Sequence, residues 1–76
     1  MNDILQGLIY YLKNNTHVSI IYLDELLDDL EREHISVLQT ALLTKGYIKA
    51  LYDLGAIEHE TWQFYSDELS KVISKY

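Results

Sequence analysis

An all-α fold is predicted by three features of this 76-residue chain. It contains no proline, its apolar residues recur at spacings of three and four, and capping signals bracket the periodic stretches. The expected arrangement is a short N-terminal helix, then a long helix that a capping motif could break near residue 35. An antiparallel C-terminal helix follows and forms an αα-hairpin. Residues 1–76 are expected to make one small helical domain.

The first helix is read from Ile4, Leu5, Leu8, Ile9, Tyr11 and Leu12, with Asn2 or Asp3 placed to cap it. Asn14-Asn15-Thr16 reads as a turn. His17 to Tyr22 holds Val18, Ile20, Ile21 and Tyr22, which favour a strand by type, but a lone strand finds nothing to pair with. The stretch is therefore an extended lead-in or the first turn of the next helix. From Leu23 onward the helical signal strengthens. Leu23, Leu27, Leu30, His34, Val37, Ala41, Ile48 and Tyr52 lie near one 3.6-period face, and Leu38, Leu42 and Leu51 widen it. Asp24, Glu25, Asp28 and Asp29 come early and Lys45 and Lys49 late, an order that complements one helix macrodipole. Ser36-Val37-Leu38-Gln39 matches a capping box and would instead start a second helix after Ile35. Gly55 suits the left-handed position that follows a helix. Glu58 and Glu60 open the last helix, Lys71 and Lys75 close it, and Trp62, Tyr65, Leu69, Val72, Ile73 and Tyr76 form its apolar face. The short Leu54–Ile57 connection makes the last two helices neighbours.

Between Asp24 and Glu33 stand six carboxylates and one base, Arg32. On a continuous helix Glu25, Asp29 and Glu33 stack four residues apart, where like charges cost an isolated helix roughly 0.2–0.5 kcal/mol per pair. A ridge that works against its own helix is a solubility device or a contact for a partner. Asp24, Glu25, Asp28, Asp29 and Glu33 are the candidate partner-binding acids. Seven tyrosines, one tryptophan and one phenylalanine supply aromatic anchors. Tyr47 and Phe64 fall off the apolar stripes and are the candidate aromatic contacts.

A net charge of −6 and a sequence pI near 4.7 disfavour direct binding to nucleic acid or anionic lipid, both of which require lysine and arginine. No targeting segment is apparent, and no stretch approaches the ~20 apolar residues of a membrane span. The absence of cysteine fits a reducing compartment, so a cytoplasmic protein is expected. A chain this short lies near the lower limit for unaided folding, which favours a homodimer or an obligate partner over an isolated monomer.

Catalytic chemistry has little to build on. Glu31-x-x-His34 occurs once, whereas a helical di-metal site needs two such motifs and further glutamates. No serine sits in a Gly-x-Ser-x-Gly turn, and three glycines do not build a phosphate loop. The expectation is a non-enzymatic protein that uses no cofactor or metal. In size, charge and helicity it resembles the small regulators and inhibitors that bacteria and their phages direct against larger enzymes. That resemblance implies action by binding another protein. The alternatives are an acidic DNA mimic that blocks a DNA-binding protein and a structural subunit of a helical assembly.

Overall fold

The periodic residues fold into four α-helices and no strand in a computed structural model that describes all of residues 1–76: α1 (Asn2–Asn15), α2 (Ile21–Glu31), α3 (Val37–Asp53) and α4 (His59–Ile73). α1 buries Leu5, Leu8 and Leu12, a one-sided stripe at spacings of three and four. It begins earlier and ends later than its sequence suggests. Met1 is the N-cap without a side-chain bond, so Asn2 and Asp3 lie inside the first turn, where the Asp3 carboxylate favours the helix dipole. Asn14 and Asn15 are helical rather than turn residues. Their amide groups donate back to the carbonyls of Tyr10 and Tyr11 at 2.8 and 3.0 Å. The chain turns only at Thr16, which is extended and whose N–H and hydroxyl both donate to the Leu12 carbonyl.

The long periodic stretch is two helices. After Glu31 the chain enters a Schellman motif: the Glu33 N–H donates to Leu30 O at 3.2 Å and the His34 N–H to Asp29 O at 2.8 Å. Closing it places Glu33 at φ +61°, the left-handed region that glycine enters freely and other residues enter at a cost of about 1 kcal/mol or more. Ser36 then starts α3 with the expected capping box. Its hydroxyl accepts from Gln39 N–H at 3.0 Å, and Gln39 Oε1 accepts from Ser36 N–H at 2.8 Å. The break redistributes the apolar face. Leu23 and Leu26 are buried in α2, and Thr40, Ala41, Thr44, Ile48 and Leu51 in α3. His34 is exposed in the corner and Leu42 is 51% exposed, because neither shares the phase of the helix that now precedes or contains it.

α3 ends in a second Schellman motif, with Gly55 at φ +75° in the left-handed position. Its closest packing is on α4. Tyr52 stacks on Trp62 at 4.6 Å between ring centroids and 8° between planes, the Tyr52 hydroxyl lies 3.0 Å from His59 Nδ1, and Lys45 Nζ donates to the Ser70 hydroxyl at 2.8 Å. These contacts run in opposite senses along the two helices. α1 packs on α2 and α4, and α2 on α3, so each helix touches its chain neighbours and the first touches the last. Leu5, Leu8, Leu12, Leu23, Leu26, Ala41, Ile48, Leu51, Ile57, Leu69 and Val72 form one core. Tyr76, expected on the apolar face of α4, lies beyond the helix and is exposed. The accessible surface is 4820 Å², against ~4,800 Å² for a folded monomer of this mass. The chain is thus as compact as a typical monomer of its size.

Two features of this fold oppose its stability. Replacing Glu33 by glycine relieves the left-handed strain, and we expect a gain of about 1 kcal/mol in urea unfolding with the helical circular dichroism unchanged. Thr44 is fully buried and its hydroxyl has no hydrogen-bond partner. Thr44→Val keeps the shape and removes an unpaired polar group, so a gain of about 1 kcal/mol is expected, and a loss would show that the hydroxyl is satisfied in solution.

Candidate binding surfaces

α2 concentrates charge because its leucines occupy one side and leave the other to acids. Asp24, Glu25 and Asp28 are exposed, whereas Asp29 is half-buried beside the corner. Asp28 pairs with Arg32 at 3.1 Å, and Asp29 Oδ1 lies 3.5 Å from His34 Nδ1. Asp24, Glu25, Glu31 and Glu33 have no ion-pair partner in the chain. Glu33 does not continue the ridge, because as the left-handed residue of the Schellman motif it stands outside the helix. The Glu25–Asp29–Glu33 row thus shrinks to Glu25 and Asp29, beside the parallel pair Asp24 and Asp28, and the helical acids from Asp24 to Glu31 span about 10 Å. The dipole argument changes sign as well. With the helix ending at Glu31, Asp28, Asp29 and Glu31 sit near its negative end. Arg32 at the C-cap pairs with Asp28 and His34 lies beside Asp29, which leaves Glu31 opposing the macrodipole, by about 0.3–1 kcal/mol, without a partner.

Tyr47 and Phe64 do not make one patch. Tyr47 is half-buried; its hydroxyl donates to Ser19 O at 3.1 Å and its ring lies 5.1 Å from that of Tyr22. These contacts tie the extended segment and the start of α2 to α3. Tyr47 lines a shallow groove with Tyr22, Leu43 and Gly46. Phe64 is 58% exposed on α4, meets Tyr65 edge-on at 5.0 Å, and lines grooves that share no residue with that one. Tyr65 enters the seam between α1 and α4 beside Gly7. Burial there pushes its phenol above the ordinary value of 10.0, and the neighbouring Tyr11 phenol adds to the shift.

The outer face of α3 carries a surface that periodicity across the corner concealed. Leu42, Leu43, Gly46 and Ala50 are all exposed there, with Tyr22 and Tyr47 on one flank and Trp62 on the other. Lys49 lies along it, bonded to Asp53 at 2.8 Å and placed 5.4 and 5.5 Å from the ring centroids of Tyr52 and Trp62. The one signal available in the sequence was Gly46, a glycine in the middle of a helix that nothing local requires.

Glu31 and His34 fall on opposite sides of the helix end, so their three-residue spacing is not held by a helix, and no three histidine or acidic residues gather as metal ligands. No helix is long and apolar enough to cross a membrane. No protein-family model, curated protein or solved structure matches the chain.

The Tyr65 shift has a definite pH signature. Its folded value lies above its unfolded one, so the stability tied to the neutral phenol is complete below pH 10 and is lost as pH rises through the folded value. Urea midpoints between pH 9 and 11 should fall more steeply for the wild type than for Tyr65→Phe. Parallel slopes would mean that the phenol is as solvated folded as unfolded.

Proposed function

We propose that this chain acts by binding another protein, with the acidic edge of α2 as the recognition surface and the antiparallel hairpin of α3 and α4 as the rigid body that presents it. The supporting observation is the placement of the acids. Asp24, Glu25 and Glu31 are exposed and have no ion-pair partner in the chain, and Glu31 stands against its own helix dipole. Asp24 suits the first turn, Asp28 has Arg32 and Asp29 has His34, but Glu25 and Glu31 bring α2 no local gain, and a positively charged surface would complement them. Complementary potentials speed encounter and reject like-charged partners, which suits a small regulator more than a scaffold. Catalysis has no gathered acid, base and nucleophile to proceed from. Protein regulation comes ahead of nucleic-acid mimicry because a helical ridge of about 10 Å covers few phosphate spacings of a duplex.

The test neutralises charge without reversing it, so that the helix is spared. The triple variant Asp24→Asn, Glu25→Gln, Asp28→Asn should retain wild-type circular dichroism. Capture of the partner from native lysate should fall by about tenfold or more, and wild-type capture should weaken steeply with added salt. Equal capture by the triple variant would remove α2 as the contact.

A further inference from the structure

We infer that the outer face of α3 is a self-association surface on which a second copy of this chain packs antiparallel, with the two helices crossing at Gly46. The inference does not depend on what α2 binds. Gly46 is the starting point. In the interior of a 17-residue helix a glycine costs about 1 kcal/mol relative to alanine, and a Cβ built on Gly46 meets nothing within 4 Å. Packing within the chain therefore does not call for it. A missing side chain on an exposed helix face allows another backbone to approach closely.

The residues around Gly46 say which backbone. Leu38, Leu42, Gly46, Ala50 and Leu54 follow one another at intervals of four, the ridge that helices interdigitate when they pack. Reversed about Gly46, as a two-fold axis requires, Leu42 lies opposite Ala50 of the other copy and Leu43 opposite the Lys49 stem. Large thus meets small, and an apolar side chain meets an aliphatic stem. Leu42 and Leu43 are 51% and 44% exposed, a large apolar outlay for a helix that already buries its opposite side.

Charge does not oppose that occupant. The chain carries −6, yet the 17 residues from Ser36 to Tyr52 include no aspartate or glutamate. Two copies of so acidic a protein can meet on this face without setting carboxylate against carboxylate. Even at the end of the stripe, Asp53 falls opposite Gln39. The apolar contribution rests on a few half-exposed side chains, chiefly Leu42, Leu43 and Tyr22, fewer than the ~20–30 residues a side of a standard interface, so the association is weak and concentration-dependent.

Sedimentation velocity on the full chain from about 5 to 500 µM decides it. The wild type should move from 8.9 kDa toward twice that mass as concentration rises. Added salt should strengthen the association by screening the net charge. Gly46→Gln places a long polar side chain into open space, so it should keep the wild-type helical spectrum and a melting temperature no lower. It should also remain monomeric across the whole range. Gly46→Ala should melt higher than the wild type when dilute and associate at least several-fold more weakly. A wild type that stays monomeric at the highest concentration overturns the inference. So does a dimer that Gly46→Gln leaves intact, since a second copy would then be using another surface. Loss of dimerisation in Gly46→Gln with capture of a partner through α2 unaffected would separate this surface from the one proposed above.

Discussion

The corner between α2 and α3 is the constraint from which the rest of the structure follows. A single helix from Ile21 to Asp53 would be about 50 Å long, whereas the longest dimension of the molecule is 31 Å. Such a rod would leave Leu23 and Leu26 far from Ile48 and Leu51, and 76 residues could not cover its whole apolar stripe. The break returns the chain on itself within the five residues between Glu31 and Val37. It satisfies the orphan backbone groups on both sides at once, through the Schellman bonds to Asp29 and Leu30 and through the Ser36–Gln39 box. α2 is then free to pack on α1, and α3 on α4. The strained Glu33 conformation is the local cost of that reversal.

What could be read from the sequence divides along the same line between local and non-local physics. The Ser36–Gln39 box and the left-handed Gly55 were legible because each depends on a side chain or a missing one within four residues. The stop at Glu31 was not, because the left-handed position after a helix ordinarily declares itself by glycine and here holds a glutamate. Asn14 and Asn15 misled for a related reason. Asparagine marks turns by bonding to nearby backbone, and here both amides do so, but to carbonyls one turn back inside a helix that continues. In the candidate site, the identity of the acids was legible and their geometry was not. Stacking Glu33 on Asp29 assumed a helix that has already ended. Phe64 does lie off the apolar stripe of α4, whereas Tyr47 is half-buried against the core; adjacency between residues on different helices is a property of packing, and the two line different grooves.

Phase explains why the outer face of α3 went unseen. Extrapolating one 3.6-residue period from Leu23 through Tyr52 assigns Leu42 to the core. Once the corner restarts the period, Thr40, Ala41, Thr44, Ile48 and Leu51 define the inner side of α3, and Leu42 and Gly46 turn outward. An error of phase thus converts an exposed apolar face into apparent core without altering the count of apolar residues. Composition could not have detected it, because leucine reads the same on either side of a helix.

The two surfaces act over different distances, and this separates what each can contribute. Carboxylates on α2 act across roughly a Debye length, about 8–10 Å at physiological salt, and so bias encounters before contact. The face of α3 acts only when atoms touch, through apolar burial and close backbone approach at Gly46. Net charge opposes the second kind of contact between like copies and promotes the first kind with a basic partner. An α3 whose only acid is Asp53 at its last position, beside an acid-rich α2, is the distribution that permits both. Segregating the charge in this way requires the two segments to be separate helices with their own faces. The corner at Arg32–Ser36 makes them so, and a continuous helix would have run the ridge and the apolar face along the same rod.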